Sequence, residues 1–490
     1  MATVCLAVDL GAGSGRVMAV RYDNGSLSID EIHRFANEPL VEKGKCQWNY
    51  DELYREVCHG IGKAIQHYGD EVVSVGVDTW GVDYGMLDGE GKLLNPPYQY
   101  RDGRTQGMQE EAFQLMPKEE IYRRTGIQFV FFNTLFQFMA EKKADPERLK
   151  SATSFLFMPD LIHYHLTGVK TQEHTIASTS QMINPLTRDW DRELLSQMGF
   201  PDHLFGPLSS PGSVIGTLRS SEVPEAKGKE ILVILPGTHD TASAVAGVPT
   251  TDDEPVFLSS GTWSLFGKEL KEPLVSEAAY EASFSNEGGV FQTTRFLKNI
   301  AGMWLLEESK KVWDGQGDQF SYTQLVQLAR EAEPLKALIN PDAQVFEAPE
   351  NMVQAIEDYL QKTGQTVPES HGALVRCLFE SLALKYCMVK QSMESLTNQP
   401  VKVIHMIGGG SQNDLLNQFA ADATGCRVIA GPTEATSLGN GLLQLFGLGL
   451  IPDLKSGRQL IADSFPTRTF IPGSQEPWAK AYETFEKLPA

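Results

Sequence analysis

The sequence has no CxxC pair, and none of its six cysteines (Cys5, Cys46, Cys58, Cys377, Cys387 and Cys426) belongs to a Cys/His group with zinc-finger spacing. In a chain of 490 residues such cysteines read as reduced thiols of a cytoplasmic protein. Basic charge is scarce: 42 lysines and arginines face 63 aspartates and glutamates, a formal net charge of −21. That balance argues against nucleic acid or an anionic membrane as a partner. A phosphate-bearing ligand would have to be held by backbone N–H groups, a metal or single arginines. No apolar run is long enough to span a bilayer. The richest, Phe129 to Ala140, is interrupted by Asn133, Thr134 and Gln137. The first residues, MATVCLAVDLGAGSG, lack the basic region and long apolar core of a signal peptide. There is no P-loop, because no Gly-Lys pair is followed by Ser or Thr.

What the sequence does contain centres on 236–247, PGTHDTASAVAG. The run Ile231 to Leu235 predicts a buried strand, broken by Pro236 and Gly237. Small residues follow Asp240 and predict a tight helix with close backbone approach. Asp240 then sits where strand gives way to helix, the place where open α/β sheets bind ligands. Free N–H groups at a helix start favour the charged carboxylate, which could accept a proton from a hydroxyl. The alternative is a capping aspartate with His239 as a turn residue.

The amino terminus supplies a second candidate. TVCLAVDL (3–10) predicts a buried strand ending at Asp9, followed by Gly11-Ala12-Gly13-Ser14-Gly15-Arg16. A glycine turn after a strand can close bare N–H groups on phosphate oxygens. A dinucleotide fold would need GxGxxG and then a helix. Here the spacing is GxGxG and Val17 to Tyr22 predicts a strand. Strand, glycine turn and strand open the actin/hexokinase-type ATPase fold; an ordinary glycine hairpin is the alternative. The second half echoes this pattern at 256–267, with Ser260-Gly261-Thr262 as the turn, which suggests a duplicated fold. TTDDEPV (250–256) reads as a boundary linker.

Between these landmarks, 51–68 predicts a helix and 72–77 a strand running into Asp78-Thr79-Trp80-Gly81-Val82-Asp83. Two carboxylates and a tryptophan suit a sugar, while a core Trp with capping aspartates is the plainer account. Arg101 and Asp102 read as a loop pair or a surface salt bridge, and His163 and His165 as structural. Segment 106–205 predicts a largely helical insertion. Val401 to Ile407 predicts a strand leading to Gly408-Gly409-Gly410, bare backbone that leaves room for an adenine ring, with Ser411 capping the next helix. The chain beyond about 450 carries few signals.

Taken in order, DLGAGSGR (9–16), GTHDTASA (237–244), SSGTWS (259–264) and GGGSQN (408–413) resemble the FGGY carbohydrate kinases over essentially the whole chain. DTWGVD (78–83), YRDGRT (100–105) and LKNIAGMW (297–304) narrow the likeness to members that phosphorylate L-rhamnulose at its 1-hydroxyl. The resemblance implies an α/β, two-lobe actin/hexokinase-like (ribonuclease H-like) fold with a central cleft for ATP and Mg²⁺. It implies a sugar-binding lobe over 1–247 and a nucleotide-binding lobe over 248–490. By position, Asp240 would be the general base, and Gly81, His239, Asp240, Thr241 and Asn299 would touch the sugar. Ala12, Gly13, Ser14, Gly15, Arg16 and Thr262 would hold phosphates, with Gly409 at the nucleoside and Asp9 acting on the metal, through water or directly. Glu307 falls where the family is expected to carry Gln near the nucleotide, and Gly13 where it often carries Ser. Cysteines that pair in relatives are mostly unmatched, so no disulfide is expected. The partners implied are a small ketose and ATP, with oligomeric state open. Competing readings are a kinase for another ketose or polyol and a non-enzymatic actin-like nucleotide switch or sugar sensor.

Overall fold

The computed structural model describes residues 2–347 and 349–489. The chain divides into two compact units, neither contiguous in sequence. Unit 1 comprises Met1–Glu254, Glu269–Phe296 and Glu434–Phe465; unit 2 comprises Pro255–Lys268, Leu297–Thr433 and Pro466–Ala490.

Unit 1 is built on six strands: β1 (Thr3–Leu10), β2 (Ser14–Asp23), β3 (Ser26–Ala36), β4 (Val72–Thr79), β5 (Val214–Thr217) and β6 (Leu232–Ile234). Their order is β5-β6-β4-β1-β2-β3. β1 is apolar and buried on both faces, as a central strand must be. It pairs antiparallel with β2 and parallel with β4. The glycine turn is therefore a hairpin, with strand rather than helix on either side. Registry places Asp9 opposite both Arg16 and Asp78. Helix α1 (Tyr50–Tyr68) lays Leu53, Val57, Ile61 and Ile65 in the core beside this sheet. The insertion forms its own aromatic cluster, which includes Phe136, Phe138, Phe155, Phe157 and Trp190.

Helix α2 (Asp240–Ala246) crosses helix α3 (Ala435–Gly447) at backbone distance. A Cβ on Gly439 would lie 1.8 Å from the carbonyl oxygen of Ser243, and one on Gly247 would lie 2.1 Å from that of Ala435. The small residues in both segments are thus each other's partners. The carboxyl-terminal region carries more structure than its sequence suggests. Leu438, Leu442 and Ile461 pack in one cluster with Cys5, Ala7, Met18 and Val20 of the first two strands.

Unit 2 contains β7 (Val256–Ser260), β8 (Trp263–Leu270), β9 (Thr294–Ala301), β10 (Val403–Ile407), β11 (Arg427–Ala430) and β12 (Arg468–Phe470), in the order β9-β8-β7-β10-β11-β12. The chain crosses between units within β8 and again within β9. β7 and β8 form the antiparallel hairpin that echoes β1 and β2, and β7 pairs parallel with β10. The long helix His371–Thr397 is capped by Ser370, and its Tyr386 hydroxyl lies 2.9 Å from the Ser264 hydroxyl on β8. All six cysteines are free thiols.

Candidate active site

In unit 1 the strand ends converge. The N–H of Thr79 donates to the carbonyl of Thr238, and that of Trp80 to the carbonyl of Leu10. This stitches the exits of β1, β4 and β6 together and brings Asp9, Gly81, His239, Asp240 and Thr241 into one region. Buried Glu173 holds the 238 loop: it accepts from the N–H of Thr175 and Ile176 and from both the N–H and hydroxyl of Thr238. The Thr175 hydroxyl in turn accepts the N–H of His239 at 3.2 Å. A Cβ on Gly81 would sit 3.3 Å from both His239 Nε2 and Thr179 Oγ1, so a bare backbone suits that spot.

Asp240 is the first residue of α2, and His239 stands at the N-cap position. The Asp240 side chain is 31% exposed, so a ligand can reach it. Oδ1 lies 3.4 Å from His239 Nε2 and accepts from the Thr241 hydroxyl at 3.1 Å. Enclosure by protein, with the Asp9 charge nearby, raises its pKa above the usual carboxylate value. The expectation that the helix start would favour its charged form is thus outweighed. A raised pKa suits a proton acceptor, because it brings proton affinity closer to working pH.

The phosphate-turn candidate leaves Gly13 exposed, with open space where a Cβ would be. Asn37 braces the turn, its side-chain amide donating to the Gly11 carbonyl and its N–H to the Gly13 carbonyl. Among the described residues no acceptor is recorded for the N–H groups of Ala12 and Gly13. Gly15 has a different reason to be glycine: a Cβ there would strike the Phe35 ring at 2.4 Å. Arg16 bridges Asp9 at 2.6 Å and Glu434 at 2.8 Å. Glu434 stands at the N-cap position of α3 without a side-chain capping bond, and no sequence signal tied it to this cluster.

A divalent cation is the group most in question here. Arg16 Nε, Arg16 Nη2 and Ser437 Oγ all converge on Asp9 Oδ2. Oδ1 carries none of these bonds and is free for a hard cation. Beside it, buried Asp78 accepts from Asn440 through Oδ2 at 2.6 Å, while its Oδ1 has no partner. Burial and the Asp9 charge push the Asp78 pKa well above the usual value. Among the described residues no three His, Cys, Asp or Glu side chains form a metal cage. The set fits Mg²⁺, which binds through one or two carboxylates plus phosphate oxygens and water.

In unit 2 the second turn is tightly packed. The N–H groups of Gly302 and Trp304 donate to the Thr262 carbonyl, and that of Met303 to the Gly261 carbonyl. A Cβ on Gly302 would lie 2.6 Å from the Gly261 carbonyl oxygen, and one on Gly410 would lie 2.2 Å from Ser260 Oγ. The Thr262 hydroxyl donates to the Glu307 carboxylate at 3.2–3.3 Å. Gly409 faces open space, unlike its neighbours Gly408 and Gly410, which abut Ser260. Asn299 is half-buried on β9. The helix after these glycines, Asp414–Thr424, is capped by Asn413, which accepts from Leu416. Ser411, the expected cap, instead donates to the Gly408 carbonyl.

At 78–83 the plainer of the two readings, a core tryptophan with structural aspartates, holds. Asp83 does not face a ligand: its Oδ2 accepts from the indoles of Trp48 and Trp80 and from the N–H of Tyr100, and its Oδ1 from Gln137. Trp80 is a core residue packed against Trp48, ring centroids 4.2 Å apart. Asp102 is engaged by the N–H groups of Cys46 and Arg104, so it organises its loop. His163 is structural, as expected: its Nε2 accepts the N–H of Val77, and burial lowers its pKa to about 3. Two further residues went unnoticed in the sequence, Glu287 and Arg295. Both are buried charges in unit 1, and Arg295 Nη1 lies 3.0 Å from His239 Nδ1.

Residues 4–247 match the N-terminal domain of the FGGY family of carbohydrate kinases, and 256–448 its C-terminal domain. A rhamnulokinase of Bacteroides thetaiotaomicron is 45% identical over 481 residues, 98% of each chain. One of Oceanobacillus iheyensis is 41% identical, over 96% of this chain and 99% of that one, and one of Bacillus subtilis is 40% identical over 95% of each. Among solved structures, ligand-bound xylulose kinase from Lactobacillus acidophilus has a TM-score of 0.83 at 16% identity, covering 99% of this chain and 97% of that one. Glycerol kinase from Plasmodium falciparum with ADP scores 0.78 at 16% identity, over 99% and 97%. The likeness to these structures places the fold as the two-domain actin-like α/β ATPase fold. Both family domains are matched and the relatives align over nearly the full length, so the chain belongs to the FGGY family of carbohydrate kinases and is itself a carbohydrate kinase.

Proposed function

We propose that this kinase transfers the γ-phosphoryl group of ATP to the 1-hydroxyl of L-rhamnulose, with Asp240 as the general base. The observation that carries the choice of sugar is the 45% identity, over 98% of both chains, to the rhamnulokinase of Bacteroides thetaiotaomicron. The partly exposed carboxylate of Asp240, with its raised pKa and its place at a strand-to-helix corner, supports the base assignment.

In the proposed step the Asp240 carboxylate takes the proton of the 1-hydroxyl. That oxygen bonds to the γ-phosphorus while the bond to the β–γ bridging oxygen breaks, and ADP leaves with the electron pair. Phosphoryl transfer of this kind asks for positioning and charge neutralisation more than covalent chemistry. Gly81, His239, Thr241 and Asn299 would hold the sugar. The N–H groups of 12–16, the Arg16 guanidinium and Thr262 would hold phosphates, and Gly409 offers bare backbone to the nucleoside. Glu307 would stand near the nucleotide, with its carboxylate shared with Thr262. Mg²⁺, when bound at Asp9, would offset phosphate charge.

The test is ADP release with Mg-ATP against a panel of L-rhamnulose, L-fuculose, D-xylulose and glycerol, with the product's phosphate located by NMR. A kcat/KM at least tenfold higher for L-rhamnulose, with a 1-phosphate product, is expected. A higher value for any other acceptor, or a phosphate elsewhere on the sugar, overturns the substrate assignment.

A further inference from the structure

The buried charges beside His239 have no part in the chemistry above. The Arg295 side chain is 0% exposed, and a guanidinium is rarely enclosed without a specific task. It lies 3.0 Å from the Glu287 carboxylate, and its Nε donates to the Gly288 carbonyl at 2.9 Å. Its Nη1 also lies 3.0 Å from His239 Nδ1. Glu287 Oε2 is 3.3 Å from the same imidazole nitrogen. His239 Nδ1 therefore faces a group that can only donate and, slightly farther off, one that can only accept.

The two contacts demand opposite tautomers. If Nδ1 accepts from Arg295, it carries no proton, and the one ring proton sits on Nε2. If Nδ1–H donates to Glu287, Nε2 presents a lone pair. Nε2 lies 3.4 Å from Asp240 Oδ1 and beside Gly81. A lone pair there would face the carboxylate oxygen of the base, whereas an N–H can donate to it or to a sugar oxygen. The Arg295 contact is the shorter and has hydrogen-bond geometry.

We propose that Arg295, neutralised by Glu287, is a positioning residue that fixes the neutral Nε2–H tautomer of His239 and so aims a hydrogen-bond donor at an oxygen of the ketose. The part concerning the ketose rests on the function proposed above; the tautomer itself does not. Neither charged residue touches the substrate. Arg295 acts through the imidazole, as the orienting groups behind catalytic and metal-bound histidines do.

The tautomer can be read on the ligand-free wild-type protein by two-bond proton–nitrogen correlation of ¹⁵N-histidine, with His239 assigned from the signal lost in His239→Gln. The expected pattern is Nε2–H. An Nδ1–H pattern, or a ring protonated on both nitrogens, overturns the proposal whatever sugar the enzyme uses. Arg295→Met removes the donor and leaves Glu287 to accept from Nδ1. It should switch the ring to Nδ1–H and raise the KM for the ketose at least tenfold, with the KM for ATP within twofold. A variant that loses only thermal stability, with tautomer and KM values as in wild type, also overturns it. Should Arg295→Met fail to fold, the wild-type spectrum decides. Absence of turnover with every ketose counts against the function above and leaves the tautomer result standing.

Discussion

The two hairpin turns that open the units share a topology and differ in almost everything else. The turn after β1 is open: Gly13 faces space, Ala12 and Gly13 have N–H groups to offer, and charge is concentrated around it in Asp9, Arg16 and Glu434. The turn after β7 is packed against Gly302, Gly408 and Gly410 and commits the Thr262 hydroxyl to Glu307. One is a cradle made by leaving room; the other is a platform made by filling it. The difference shows that a repeated strand–turn–strand plan does not repeat its chemistry. Electrostatic work around the Asp9, Asp78 and Asp240 carboxylates falls to unit 1, and steric definition of the second turn falls to unit 2.

The largest test asks whether the chemistry does belong to unit 1. Asp240→Asn is expected to lower kcat by roughly 10²–10⁴-fold while sugar binding by calorimetry persists. Turnover near wild type would break the comparison at its base. Next, alanine at the two turns should part company. Gly302→Ala forces a Cβ onto backbone and should cost about 3 kcal/mol in urea unfolding. Gly13→Ala should leave stability within about 0.5 kcal/mol and act instead on the KM for ATP.

The pH profile gives the third test. The base works only when ionised, and its pKa is raised, so kcat/KM should fall as pH drops through a value above the usual carboxylate range. An acid limb at or below the ordinary aspartate value would contradict the enclosure of Asp240. A smaller effect is expected from Glu307→Gln. It removes a negative charge next to the Thr262 hydroxyl and should lower the KM for ATP a few-fold. Smallest of all, Asp78→Asn keeps an oxygen able to accept from Asn440, and burial already raises the pKa of the carboxyl it replaces. It should change stability by about 1 kcal/mol or less, read by thermal unfolding.

Local signals made much of this legible. Both hairpins, the strand-to-helix corner at Asp240 and the inert His163 follow from residues within a few positions of one another. Asp83 shows where such reading stops. Its four donors come from Trp48, Trp80, Tyr100 and Gln137, and only Trp80 is near it in sequence. A carboxylate beside a tryptophan looks like a sugar site until those partners are known. Glu434 was unreadable for the same reason, since its ion pair with Arg16 spans most of the chain. Arg295 gave no signal because burial of a charged side chain contradicts the usual rule. The small residues of α2 and α3 were visible as small; that each existed for the other was not.

The crossing of α2 and α3 bears on how the protein is born. The amino-terminal sheet, with Cys5, Ala7, Met18 and Val20 on one face, packs against residues near the opposite end of the chain. At ~5–20 residues per second, the ribosome needs roughly 20–80 s to make the ~420 residues between them. During that interval the nascent sheet carries an unsealed greasy surface, a natural station for a chaperone. Arg16 also lacks its Glu434 clamp until translation is nearly done.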